Sequence, residues 1–196
     1  MKPPGMMMTL ATVIWWLTLV AWMAAIVAPA ATAMSAFTNL IAMEVTTDRI
    51  EPFFGDDTEG AGRFIAGYVT HPVFQMSARV QLGCAVIGVA LLALRRGAPV
   101  GRPKSFARRS ATTTMLLSTA ALSWYLFGIL PSVESSLESW RAAVLEGDRD
   151  AATAAYAAFD PAHRSAERGM SLIVGAVLLT IVTSGVGSTP PRKVSR

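Results

Sequence analysis

The sequence predicts an all-α integral membrane protein, a four-helix bundle with short extracytoplasmic amphipathic helices. Three observations predict it. Of the 196 residues, 53% are hydrophobic and only 15% are charged, against roughly 25% charged in an ordinary soluble domain. The apolar residues gather in four blocks, at 8–30, 73–94, 111–131 and 169–187, each near the ~20 residues that cross a bilayer as a helix. Lipid leaves backbone groups no partner but one another, so each block is expected to be helical.

The first span is expected at 8–30. "ATA" at 31–33 has the look of a signal-peptide cleavage site, but the apolar core before it carries Trp15, Trp16 and Trp22. That core runs to about 20 residues, longer than a secretory h-region of roughly 7–15, so an uncleaved span is the reading adopted. The second span, 73–94, is long enough only if Gln75, Arg79 and Gln81 join "LGCAVIGVALLAL". Thr70 or His71 is expected to cap it, with Pro72 opening its first turn. After the third span, 111–131, Val133, Leu137, Trp140 and Val144 share one helical face. A break at "EGDRD" and an alanine-rich helix, "AATAAYAAF", follow. These outer helices are expected to lie along or just above the membrane surface. The fourth span is expected at 169–187. Asp160 should cap it and Pro161 should open it, with four-residue pairs Asp160–Arg164 and His163–Glu167. The chain reads as a single membrane domain over 1–196, with a basic loop at 95–110 and a disordered tail at 188–196 that Pro190 and Pro191 keep from being helical.

Charge sorts by connection. Arg95, Arg96, Arg102, Lys104, Arg108 and Arg109 crowd one loop, and Lys2, Arg192, Lys193 and Arg196 sit at the ends, with no acid among them. The links at 31–72 and 132–168 hold all 13 acidic residues. The positive-inside rule then places both termini in the cytoplasm and both acidic links outside, in the inner membrane if the cell is bacterial. The basic residues flank spans, so they read as topology determinants beside anionic lipid. No aromatic-basic interleaving points to nucleic acid.

Ionisable groups within spans are the natural candidates for a site. Arg79 lies about two turns inside the second span, with Gln75 a turn above it. It is expected to face the bundle and pair with Glu44 or Asp160, as a structural ion pair or as a site for a small anionic ligand. His71 and His163, with Met43 or Met170 nearby, are weak metal candidates; their expected role is to cap helix ends. The lone Cys84 is expected to be buried and inert, and Cys84 with Gly88 forms a small-xxx-small pair that favours close helix packing. The ten methionines read as apolar filler. No cofactor and no resident metal is expected.

Four stretches resemble the transmembrane-protein-205-like family of four-span proteins: "VAPAATAMSAF", "AGRFIAGYVTHPVFQMSARVQLG", "WYLFGILPSVESSLESWR" and, most closely, "FDPAHRSAERGMSLIVG". In the last, Phe159, His163 and Ser165 match that family's aromatic, histidine and serine before its final span. The first outer link is longer than the family's. The resemblance implies a four-helix membrane domain and no particular activity. The expected function is a non-enzymatic scaffold or accessory subunit, self-associating or part of a larger membrane complex. The alternative is binding or transport of a small ligand, ion or metal through Arg79 and the outer polar cluster.

Overall fold

A computed structural model describes residues 6–96 and 106–188. Most of the expected basic loop, with Lys104, and the tail beyond Ser188 lie outside the described residues. The described chain is helical, with no strand among the described residues. Helix α1 runs Met6–Ala42, α2 is a single turn at Glu51–Phe54, α3 runs Thr58–Arg96 and α4 runs Phe106–Trp124. A π-helical turn, Tyr125–Ile129, joins α4 to α5, Leu130–Glu146; α6 runs Arg149–Ser188. The stretches Met6–Ala42, Thr58–Leu94, Arg109–Glu146 and Arg149–Val186 are each long and apolar enough to cross a membrane.

The helices outlast the apolar blocks that predicted them. At 1.5 Å per residue, the 37 residues of α1 extend about 55 Å and the 40 of α6 about 60 Å, nearly twice a ~30 Å hydrocarbon core. The separate outer helices expected at 133–144 and around "AATAAYAAF" are instead continuations of the third and fourth long helices. The boundaries expected at Pro72 and Pro161 are not helix starts, because both prolines sit inside helices, as Pro29 does in α1. Thr70 and Asp160 are therefore not caps. Thr70 donates to Ala66 O within α3, 2.8 Å, and Asp160 pairs with Arg164 along α6.

The true starts lie earlier. Asp57 Oδ1 accepts from Gly60 N–H, 2.9 Å, at the head of α3, and Asp148 Oδ1 accepts from Ala151 N–H, 2.9 Å, at the head of α6. The break expected at "EGDRD" is real. Gly147, at φ 75°, ends α5 in a left-handed turn, with Asp148 N–H reaching back to Ala143 O at 3.0 Å. The same motif ends α1 with an unusual residue: Glu44 stands at φ 50°, and Val45 N–H returns to Leu40 O at 3.2 Å.

Pro29 is tolerated inside α1 because a neighbouring helix takes up the group it frees. Pro29 offers no N–H to Ala25 O; the Ser77 hydroxyl of α3 donates to that carbonyl instead, at 2.5 Å. Pro131 falls in the first turn of α5. The π turn just before it shifts the ladder by one residue, Leu130 N–H bonding Tyr125 O.

The bundle is two antiparallel pairs, α1 with α3 and α4–α5 with α6, closed by contacts of α1 with α6 and of α3 with α4. Ser77 opposite Ala25 and Gly62 against Ile41 and Leu40 define one continuous register along α1 and α3. A Cβ at Gly62 would lie 3.0 Å from Ile41 Cα, so glycine is what permits this approach. Gly169 likewise lies against Ile129 and Tyr125 of the π turn.

Two cores follow the charge pattern. The larger, around Trp22, Leu19, Met115, Leu122, Ile173 and Val177, fills the apolar half. Gly88 faces the tip of Met115 there, and Cys84 is buried in the same core, in line with close packing at this pair. The smaller core, around Ile50, Phe64, Ala143, Val144 and Ala152, lies in the acidic half.

Candidate functional site

The acidic half is organised by aromatic rings. Phe53 packs edge-on against Phe54 at 4.9 Å, Phe54 against Phe64 at 5.8 Å, and Phe64 against Trp140 at 5.3 Å. Trp140 meets Tyr156 at 5.5 Å and stacks on Phe159 at 6.0 Å; Phe159 stacks on His163 at 5.2 Å. One chain of rings thus ties α2 and α3 to α5 and α6. Offset and edge-to-face aromatic pairs contribute roughly 0.5–1.5 kcal/mol each beyond burial.

Two arginines stitch the same seam. Arg141 donates to Gly67 O across the α5–α3 contact, 2.8 Å, with its guanidinium 4.8 Å from the centre of the Tyr68 ring. Arg149 donates to Phe53 O, 3.0 Å, and lies 6.0 Å from the Phe53 ring. Both are charged donors on otherwise peripheral carbonyls, the stronger class of hydrogen bond. A shallow surface groove of about 270 Å³, lined by Phe53, Trp140, Ala152, Thr153 and Tyr156, opens beside them.

The residues singled out by sequence do not form one site. Arg79 is exposed on α3, and the ion pairs among the described residues are Arg63–Glu59, His163–Glu167 and Arg164–Asp160. The expected pairing of Arg79 with Glu44 or Asp160 is therefore not formed: Glu44 closes α1 and Asp160 is taken by Arg164. The reason is the face it occupies: Arg79 lies on an exposed side of α3, where a long side chain can carry its charge outward without a buried partner.

Gln75, exposed, donates to His71 Nε2 at 3.1 Å. His163 Nε2 lies 3.4 Å from Glu167 Oε1. The two histidines thus make separate local contacts, and among the described residues no three His, Cys, Asp or Glu side chains gather to hold a metal. The spacing argument did identify both four-residue pairs of α6 correctly.

The apolar half carries buried polar groups of a different kind. Trp15 Nε1–H donates to Ser184 Oγ, 3.2 Å. Thr114 meets Thr183 at 3.2 Å and Ser118 meets Thr180 at 3.3 Å, so hydroxyls line the contact between α4 and α6. Gln81 Nε2 donates to Ser77 Oγ at 3.0 Å. Trp22 Nε1 and Gln81 Oε1 are buried without a hydrogen-bond partner among the described residues, and the α1–α3 register sets them at one level. These groups hold helices together as interhelical polar contacts do in lipid; none is a titrating group placed to move a proton.

Sequence reading missed Arg141 and Arg149 because it treated their segments as surface-lying. For Arg141 a signal was present, an arginine directly after Trp140 in a link rich in acids; Arg149, between Asp148 and Asp150, carried none. Set against models of protein families, against curated proteins and against solved structures, the chain matches none.

Proposed function

We propose that this chain is a non-enzymatic membrane scaffold or accessory subunit whose working part is the acidic half of the bundle. One observation carries the reading. Three of the helices long enough to cross a membrane, α3, α4–α5 through its π turn and α6, run on into a second core laced by a chain of aromatic rings and by Arg141 and Arg149. Such a body holds a fixed surface at a fixed height above the bilayer, which is what a scaffold does and a passive anchor does not need. With basic residues retained inside, that half lies outside the cell membrane and both termini are cytoplasmic. The stacked Phe159 and His163, with Ser165 bonded to Pro161 O at 2.9 Å, are the residues that resemble the transmembrane-protein-205-like family, and kinship with it is part of the proposal. Binding or transport draws less support, because Arg79 is exposed and the two histidines face separate partners.

The orientation is tested by impermeant thiol labelling of intact cells in a Cys84→Ala background. Asp56→Cys is the outer probe, since Asp57 caps α3, and Lys104→Cys is the inner one. Labelling of the first and not the second is expected. The reverse pattern would place the aromatic body in the cytoplasm and sink the reading.

A further inference from the structure

The outward face of α1 is uncharged along its whole described length. No charged residue occurs in Met6–Ala42, although its ~55 Å exceeds the ~30 Å that lipid covers. Its far end lies beside Gly62 of α3, which is flanked by the exposed ion pair Glu59–Arg63; that level belongs in water. Yet α1 presents no charge there. Instead it forms one wall of a shallow open groove of about 570 Å³, lined by Ala31, Thr32, Ser35, Ala36, Asn39 and Val69. Two side chains of this wall bond within α1: Thr32 donates to Ala28 O at 2.9 Å and Asn39 to Ser35 Oγ at 3.2 Å.

Charge selects the occupant. A membrane gives every copy the same orientation, so two copies relate by a two-fold axis along the membrane normal, and α1 meets α1 in parallel. At such an isologous contact residues near the axis face their own copies, and a charged face would set like charges together. The exposed faces of the other three long helices carry Glu59, Arg63 and Arg79, Glu138, or Arg164, Glu167 and Arg168. Only α1 is free of this penalty along its described length. Its exposed small residues, Ala24, Ala28, Ala31 and Ser35, allow two backbones to approach closely.

We infer that the protein is a parallel homodimer in the membrane, joined along the outward face of α1 around Ala31 and Ser35. This rests on the membrane reading above and adds the partner to it.

The experiment is disulfide trapping in native membranes, in the Cys84→Ala background. Ser35→Cys should convert largely to a covalent dimer under mild oxidation, while Ser139→Cys, exposed on α5, should stay monomeric. Adding Ala31→Trp, at an exposed position, should cut the Ser35→Cys cross-link at least tenfold. The unmodified chain should occupy lipid nanodiscs two at a time. A monomer in nanodiscs, cross-linking of Ser35→Cys no greater than that of Ser139→Cys, or a cross-link indifferent to Ala31→Trp would overturn the inference. Because thiol labelling of Asp56→Cys is independent of association, a monomer labelled from outside would remove the dimer and leave the scaffold standing.

Discussion

Single residues show how the bundle tolerates what its sequence makes awkward. Ser77 supplies the donor that Pro29 withholds from Ala25 O, and in lipid an unsatisfied carbonyl is costly. Ser77→Ala is expected to destabilise the protein by about 1 kcal/mol or more in a thermal or denaturant melt. In a Pro29→Ala background, where the residue at 29 can donate again, the same change should cost much less; equal costs in both backgrounds would show that the two residues are not coupled. Arg79 gives the opposite expectation. It is exposed and its charge reaches the boundary by itself, so Arg79→Met should change thermal stability by no more than about 0.5 kcal/mol, the usual limit for surface substitutions. A loss of about 3 kcal/mol would instead reveal the stranded partner of a buried pair. Sequence assigned Arg79 to the bundle-facing side of its helix, whereas it is exposed, because polar residues spread along the span, Gln75, Ser77, Arg79 and Gln81, do not by their spacing say which face is turned outward.

At the level of elements, apolar blocks identified four helices and none of their outer ends. The rule that proline opens a helix placed boundaries at Pro72 and Pro161, yet both lie within helices. What decides the matter is the pair of aspartates further upstream, Asp57 and Asp148, whose carboxylates bond the first free N–H groups. "GDD" and "GDRD" carry that signal in the sequence, an aspartate soon after a glycine and just before a helix-forming run. The period of Val133, Leu137, Trp140 and Val144 correctly gave the inward face of α5, and Val133, Val144 and half of Trp140 are buried as it requires. The partner of that face was not legible, since it depends on α3 extending upward to bring Phe64 to Trp140. Trp140 is the central ring of the chain, so Trp140→Ala should cost about 3 kcal/mol, the low end for a large aromatic that is only half buried. The loss should fall on the acidic half: limited proteolysis should begin to cut near Gly55 and Gly147 while the apolar helices stay protected. Cleavage spread evenly along the chain, or none, would argue against a separate second core.

For the whole molecule, charge was the most informative feature of the sequence. It divided the chain into a basic end and an acidic end, and the two cores respect that division. What composition did not reveal is the height of the acidic half, because residues such as Glu138, Arg164 and Glu167 read equally well as helices lying on a membrane or standing above it. The continuous α6, 40 residues from Arg149 to Ser188, makes the distinction measurable. A nitroxide walked along exposed positions of α6 in lipid nanodiscs, with oxygen and a water-soluble nickel chelate as paired relaxants, reports depth at each site. A standing helix predicts that depth rises by about 1.5 Å per residue from Arg168 to a maximum near Val177, the middle of a ~30 Å core, and falls again toward Val186, while sites from Ala151 to Arg164 are open to the chelate. A constant, interfacial depth from Ala151 to Arg164 would contradict it, and would lay the aromatic body back on the membrane surface.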